Sequence, residues 1–131
     1  GNSGLSSLQG MVTNNSTSSN RRDFNVTADK FQWIQKTYSD GRIETSTANG
    51  PDQGVWTHAV ATSKTVANSD TLSKIYKNGV EVGSLTYSGV TMDSGINDAC
   101  HIGYLNSSRY FHGEIACVQV YSTCLSNADI K

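Results

Sequence analysis

Charged residues are scarce in this sequence. They make up 16% of the 131 residues, against roughly 25% in an average globular domain, and the formal net charge is −1. Arg21-Arg22 is the only basic doublet, so the chain lacks the basic patch that nucleic-acid binding requires. No apolar run is long enough to cross a bilayer. We therefore expect neither a nucleic-acid partner nor insertion into a membrane.

Cysteine is also scarce, and the spacing of the three cysteines excludes two kinds of site. There is no C-x-x-C motif, so zinc is not expected. Cys100 and His101 are neighbours that point to opposite faces of a strand, which excludes a Cys-His nucleophile. If residues 99–104 pair with residues 112–118, Cys100 and Cys117 lie nearly opposite and can form a disulfide. Cys124 is expected to be a small buried hydrophobe.

Serine, threonine and asparagine supply the polarity that charge does not. The chain has 31 Ser and Thr and 11 Asn, and this polar, uncharged composition predicts an extracellular location, secreted or at the cell surface. The chain opens with Gly1 and shows no signal peptide, so it is expected to be processed or trimmed. Sequons make four residues candidates for N-glycosylation: Asn14, Asn15, Asn25 and Asn106.

Apolar and polar residues alternate along most of the chain, which is the period-2 pattern of half-buried strands. Asn78-Gly79 and Asp40-Gly41 each lie between two such runs and predict type I′ hairpins, because that turn needs a positive φ at both central positions. Ser126 and Asp129 have capping spacing, which predicts a short helical turn. The predicted strands are 8–13, 22–27, 30–38, 42–47, 56–62, 72–77, 80–85, 101–104 and 114–121, and residues 110–115 show the same strand pattern.

The strand predicted at 56–62 has two faces of different character. Trp56, His58 and Val60 share one face, and the large indole makes this the expected core face. His58 is then expected to pack inside with its ring nitrogens hydrogen-bonded, rather than to act as a general base. Ala59 and Ala61 lie on the opposite face.

Several short pieces follow one another in a characteristic order. They are W-T-H-A-V-A-T from Trp56, I-Y-K-N-G-V-E-V from Ile75, I-G at Ile102, Y-F-H-G-E-I from Tyr110, V-Y at Val120 and L-S-N-A-D-I from Leu125. In this order they resemble the laminin-G-like branch of the concanavalin A-like lectin/glucanase superfamily. The resemblance implies an all-β jelly-roll sandwich of two antiparallel sheets, which binds glycans or proteins outside the cell.

The resemblance also bears on domain organisation. A chain of 131 residues is expected to be one domain, residues 1–131. Family members usually begin with one or more strands ahead of the region that resembles residues 1–50. N-terminal strands are therefore expected to be missing, either because the chain is a piece of a larger protein or because a neighbouring chain supplies the edge strand.

Catalysis finds little support in the sequence. A glycanase needs paired carboxylates, and the glucanase branch resembles E-x-D-x-x-E. Glu44, Glu81 and Glu114 are the only glutamates, and none begins that motif. Glu114 is the best single candidate, yet it belongs to G-E-I, a signature of the non-catalytic branch. No catalytic residue is expected.

Two ligand sites are compatible with the sequence. Related domains often bind calcium through an aspartate that follows G-x-I, and this chain has Ala116 at that position. The calcium candidates that remain are the loop residues Asp70, Asp93 and Asp98. In the alternative interpretation these carboxylates are simply solvated. A glycan site needs an aromatic platform with polar partners. The candidates are Tyr104, Asn106, Arg109 and Tyr110 around one turn, with Tyr87 approaching from another. In the alternative interpretation these tyrosines only anchor the turn and fill the sheet.

The sequence as a whole predicts a non-catalytic extracellular recognition or adhesion module for glycans or glycoproteins. The alternative is a structural subunit or repeat of an extracellular filament or surface assembly, whose partners are other copies of the chain or the rest of its parent chain. A glycan hydrolase is the least supported.

Overall fold

The computed structural model describes residues 8–14, 22–27, 30–36, 42–46, 50–66, 69–90, 99–105 and 109–130. No helix within these ranges is long and apolar enough to span a bilayer. The strands are β1 (Gln9–Thr13), β2 (Arg22–Thr27), β3 (Lys30–Lys36), β4 (Arg42–Ser46), β5 (Ala59–Thr65), β6 (Thr71–Lys77), β7 (Val80–Tyr87) and β8 (His101–Ile102).

These strands form two sheets. The first has the order β4-β3-β2-β1-β8 and the second β5-β6-β7, and every pairing is antiparallel. β4 packs against β6 and β7, and β3 packs against β6, so the two sheets lie face to face. This confirms the two-sheet antiparallel sandwich that the alternating pattern predicts.

The core lies between the sheets. Phe24 and Val26 of β2 and Phe31 of β3 meet Ile75 of β6 in one buried cluster. The rings of Phe24 and Phe31 are 5.8 Å apart, and the ring of Trp33 contacts Phe24 edge-on at 6.2 Å. Because large apolar side chains from both sheets share this cluster, its burial is the main term that holds the sandwich together.

The strand predicted at 56–62 was wrong in two respects: β5 begins at Ala59 rather than at Trp56, and its core face is the one that carries Ala59 and Ala61. Trp56 is 66% exposed, whereas Ala59 and Ala61 pack against the core. The reason is the length of the partner strand: Ala59 pairs with Lys77, the last residue of β6, so β5 has no neighbour opposite Trp56. His58, expected inside, is exposed.

The hairpin between β6 and β7 holds the loop that precedes β5. Asn78 and Gly79 have φ of 51° and 80°, which confirms the positive-φ turn predicted for Asn-Gly. The Asn78 N–H donates to the His58 carbonyl at 2.8 Å, and its Oδ1 accepts from the His58 N–H at 2.9 Å. Lys77 Nζ donates to the Gly50 carbonyl, also at 2.9 Å. The hairpin predicted at Asp40-Gly41 lies outside the described residues.

A polar network crosses the interior between the sheets. Ser63 Oγ donates to Gln35 Oε1 at 2.7 Å and accepts from the Trp33 indole N–H at 2.9 Å. Ser73 Oγ lies 2.8 Å from Ser63 Oγ and 3.3 Å from Gln35 Oε1. Gln35 and Ser73 are buried, so these bonds offset the cost of removing their polar atoms from water.

Replacing Ser63 by alanine is expected to cost about 1–3 kcal/mol of unfolding free energy, because it removes the acceptor of a part-buried indole N–H and a donor to Gln35. Urea unfolding measures the loss. The control is Ser84→Ala on β7, an exposed serine whose replacement is expected to change stability by less than about 0.5 kcal/mol. Equal losses in the two variants would show that the network contributes nothing.

The C-terminal residues return to the outer face of the second sheet. The buried Tyr76 hydroxyl donates to Asn127 Oδ1 at 2.6 Å, and burial raises the pKa of Tyr76. The Asp129 N–H donates to the Ser126 carbonyl at 3.0 Å, and hydrogen bonds from Ser126 hold the pKa of the Asp129 carboxyl below its ordinary value. The helical turn predicted here is a single hydrogen-bonded turn, and no α-helix occurs among the described residues.

The strand predicted at 114–121 is not formed. The described residues 111–121 contain no strand. The pairing that could have extended into this segment stops early. After the Phe111 N–H donates to the Gly103 carbonyl, the His112 N–H donates to Gln9 Oε1 at 3.0 Å, and residues 112–121 make no backbone–backbone hydrogen bond within the described part of the chain. β8, the strand that precedes the Tyr104–Tyr110 bridge, has only two residues, which is too short to pair with a strand of eight residues.

Candidate functional site

The site begins where β8 leaves the sheet. β8 pairs with β1, and the Gly103 N–H donates to the Met11 carbonyl at 2.8 Å. Gly103 has a φ of 74°, a left-handed conformation that glycine adopts without steric cost, so the chain turns outward here. Tyr104 then pairs with Tyr110 in an antiparallel bridge. A short ribbon therefore follows β8 at the edge of the five-stranded sheet.

The ribbon is fixed on β1 at two points. The Thr13 hydroxyl donates to the Tyr104 carbonyl at 2.6 Å. Leu105 is buried directly over Gly10, where a Cβ would lie 2.8 Å from both the Cβ and the backbone nitrogen of Leu105. The Leu105 N–H donates to the Arg109 carbonyl at 3.1 Å and closes the turn. The backbone that carries the tyrosines is thus held rigidly by the sheet.

Three aromatic side chains line up on this ribbon. The ring of His101 is 5.3 Å from the ring of Tyr104 in an edge-on contact, and the ring of Tyr104 is 5.3 Å from that of Tyr110. His101 and Tyr104 are half-buried, and Tyr110 is 54% exposed. We call these three residues the aromatic row. It presents ring surface to solvent together with two hydroxyls and an imidazole.

The structure brings together part of the set of glycan-binding candidates. Tyr104 and Tyr110 are in ring contact, and Arg109 is exposed next to Tyr110. Asn106 lies outside the described residues. Tyr87 ends β7, which packs against β4, and β4 and β8 are opposite edges of the five-stranded sheet. The structure therefore does not bring Tyr87 to the row.

His101 is the member of the row that sequence reasoning missed. Residues three apart on a regular strand point to opposite faces, so H-I-G-Y places His101 and Tyr104 apart. The bend at Gly103 reverses that relation and brings the two rings together. The glycine between them was the one signal in the sequence, since an isolated glycine in a strand pattern marks a bend.

A comparison with protein-family models decides the family. A laminin G model of the concanavalin A-like lectin/glucanases superfamily matches residues 4–131. The chain belongs to this family. The expected family and the jelly-roll sandwich are therefore confirmed for this laminin-G-like chain. Comparisons with curated proteins and with solved structures found no match.

Of the three aspartates considered for calcium, Asp70 lies in the described part of the laminin-G-like chain. Asp70 Oδ1 accepts from the Gly89 N–H at 2.8 Å, and the Asp70 carbonyl accepts from the Val66 N–H at 2.8 Å, so this residue ties two loops together. Asp93 and Asp98 lie outside the described residues. Within the ranges given above, no three His, Cys, Asp or Glu side chains are grouped as metal ligands would be.

The cysteines of the laminin-G-like chain are all exposed thiols. The disulfide considered for Cys100 and Cys117 is not formed, because the bridge between Tyr104 and Tyr110 sets a different register. Continued along both segments, that register would place Cys100 opposite Glu114. Cys124 is also exposed, against the expectation that it is buried; the neighbouring Leu125 is the half-buried residue instead.

Two of the four glycosylation candidates are buried. Asn25 is 0% exposed within β2, so a glycan on its amide does not fit this fold. Asn14 is 5% exposed, and its Oδ1 accepts from the Arg22 N–H at 2.5 Å. Asn15 and Asn106 lie outside the described residues, and their glycosylation stays a prediction.

Proposed function

We propose that this laminin-G-like chain is a non-catalytic extracellular recognition module that binds glycans or glycoproteins through the aromatic row. The observation that carries the proposal is the contact of His101, Tyr104 and Tyr110 on a ribbon fixed to β1. Preorganised side chains lose little conformational entropy when a ligand binds, so a rigid ribbon favours binding.

The chemistry of the row fits a sugar ring. One face of a pyranose carries C–H groups that pack on an aromatic ring, and its edges carry hydroxyls that need donors and acceptors. Tyr104 and Tyr110 supply both the ring surface and a hydroxyl each, and the exposed Arg109 precedes Tyr110 in the chain. Few polar groups around an apolar surface are the usual composition of a small-ligand site.

The placement of the carboxylates supports binding without hydrolysis. Glu81 Oε2 accepts from Lys74 Nζ at 2.7 Å in an ion pair on the outer face of the second sheet. That bond also raises the pKa of Lys74. Glu114 is exposed on the segment that follows the ribbon. A glycanase needs two free carboxyl groups on either side of one bond, so the engagement of Glu81 with Lys74 favours binding without hydrolysis.

Replacing Tyr110 by alanine is expected to weaken glycan binding at least about tenfold, the equivalent of about 1.4 kcal/mol, since the most exposed ring of the row is removed. A glycan array on the wild-type protein selects the probe, and titration calorimetry with that glycan in monovalent form gives the dissociation constants. The matched control is Tyr121→Ala, because Tyr121 is also 54% exposed and lies outside the row.

Three results are decisive for this proposal. Weak binding by Tyr110→Ala with unchanged binding by Tyr121→Ala supports the row as the site. Equal binding by the wild type, Tyr110→Ala and Tyr121→Ala would place the glycan elsewhere and reject the aromatic row as the site. An array on which the wild-type protein binds no glycan rejects glycan recognition itself.

A further inference from the structure

The tip of the hairpin between β6 and β7 takes no part in the aromatic row. It consists of Asn78, which is exposed, and Gly79, which is half-buried. Their φ angles of 51° and 80° define a type I′ turn. An asparagine that precedes a glycine holds two groups that react with each other. They are the electrophilic side-chain carbon Cγ and the backbone nitrogen of the glycine, which is a nucleophile once it is deprotonated.

The backbone nitrogen of Gly79 is available for reaction. Its flanking residues Lys77 and Val80 pair with each other across the hairpin. The Gly79 N–H itself donates no backbone–backbone hydrogen bond within the described part of the chain. Glycine also has no Cβ that could shield its nitrogen. Hydroxide from the solvent can therefore reach this N–H and remove its proton.

The side-chain amide of Asn78 is held and polarised by the backbone of His58. Asn78 Oδ1 accepts from the His58 N–H at 2.9 Å. When a nucleophile adds to Cγ, negative charge develops on Oδ1, and a hydrogen-bond donor already in place stabilises that charge. The bond that fixes the loop before β5 therefore also activates the amide.

The turn can bring the two reacting groups together without opening the hairpin. Type I′ and type II′ turns both close two-residue hairpins, and a flip of the central peptide converts one into the other. The flip changes ψ of the first residue from about +30° to about −120° and reverses the sign of φ at the second. Glycine adopts both signs of φ, so Gly79 permits the flip. In the flipped turn the Gly79 nitrogen points toward Asn78 Cγ.

We propose that Asn78 is a deamidation site whose isoaspartate product loosens the loop before β5. The Gly79 nitrogen loses its proton to hydroxide and forms a bond to Asn78 Cγ. The bond between Cγ and Nδ2 then breaks, and ammonia leaves with a proton from water. One water molecule opens the resulting succinimide at either carbonyl and gives aspartate or isoaspartate. The reaction needs only water and does not depend on glycan binding.

The two products differ in what they do to the loop. Aspartate leaves the backbone unchanged and keeps a side-chain oxygen that accepts from the His58 N–H. Isoaspartate adds a methylene group to the backbone of the turn and moves the carboxylate onto Cα, so the acceptor no longer lies opposite His58. The loop that carries Trp56, which is 66% exposed, then loses one of the bonds that hold it to the hairpin.

Incubation of the folded chain in mildly alkaline buffer, followed by peptide mapping, tests the site. Asn78 is expected to deamidate at least about tenfold faster than Asn127, because only Asn78 precedes a glycine. Asn127 is the matched control: it is also exposed and its Oδ1 also accepts one hydrogen bond, from Tyr76 at 2.6 Å. Asn49, which also precedes a glycine, lies outside the described residues and is mapped on its own peptide.

Hydrogen exchange at the His58 amide tests the effect on the loop. In the purified isoaspartate form this amide is expected to exchange at least about tenfold faster than in fresh protein, because it has lost its acceptor. Asn78→Asp is the matched control, since it adds the same charge without the extra methylene group. Its His58 amide is expected to exchange no faster than that of the wild type.

The outcomes separate clearly. Conversion of Asn78 ahead of Asn127, with faster exchange at His58 in the isoaspartate form alone, supports the proposal. Equal rates at Asn78 and Asn127 overturn it. Conversion of Asn78 in urea but not in native buffer also overturns it, because the folded hairpin then protects the site. An isoaspartate form in which His58 exchanges as in fresh protein overturns the effect on the loop. Circular dichroism confirms that each form keeps its β-structure.

Discussion

Replacing Phe31 by alanine is expected to reduce the unfolding free energy by about 3–5 kcal/mol. Phe31 is 1% exposed and belongs to the cluster in which β2 and β3 meet Ile75 of the second sheet. Its ring contacts Phe24 at 5.8 Å, so truncation leaves a cavity between the two sheets. Because small domains are stable by only about 5–15 kcal/mol, this loss is a large part of the total.

Chemical denaturation measures the effect of Phe31→Ala. The control is Val80→Ala at the start of β7, where the side chain is 64% exposed and the expected change is below about 0.5 kcal/mol. A loss at Phe31 no larger than that at Val80 would mean that the cluster between the sheets does not hold the fold.

Replacing Gly10 by alanine is expected to destabilise the chain by about 1–3 kcal/mol, through overpacking. The new Cβ would lie 2.8 Å from the Cβ and nitrogen of Leu105 and from the carbonyl carbon of Tyr104. That backbone cannot easily retreat, since Thr13 holds the Tyr104 carbonyl at 2.6 Å. The same clash would displace the aromatic row, so glycan affinity should fall together with stability.

Gly113→Ala is the matched control for Gly10→Ala. An added Cβ at Gly113 also meets an atom at 2.8 Å, but that atom is Cε1 on the ring of Phe111, which can move. We expect thermal unfolding to shift clearly for Gly10→Ala and much less for Gly113→Ala. Equal shifts would show that the ribbon yields as easily as a side chain does.

The fold could be predicted because its signals are local. Alternation marks strands, and Asn78-Gly79 defines a hairpin, since few residues tolerate its positive φ values. The orientation of Trp56 was predicted wrongly because it depends on where β6 ends, and the end of a partner strand is a tertiary property. The strand predicted at 114–121 was wrong for the same reason, because an alternating pattern predicts a strand but does not say which strand pairs with it.

The site was predicted only in part, for a similar physical reason. Tyr104 and Tyr110 are brought together by a turn short enough to be visible in the sequence. His101 joins them through one bend at Gly103, and Tyr87 is excluded by the order of strands across the sandwich. Neither the bend angle nor the strand order can be deduced from local periodicity.

The contrasting surroundings of the two tryptophans have a spectroscopic consequence. The Trp33 indole is hydrogen-bonded to Ser63 and packed edge-on against Phe24, whereas Trp56 is 66% in solvent. We therefore expect emission from the folded chain to have two components, of which aqueous iodide quenches the Trp56 component selectively. Trp33 emission should change when the sheets separate, so Trp33 reports unfolding. Trp56 is already in solvent, so its emission should change little and can serve as an internal reference.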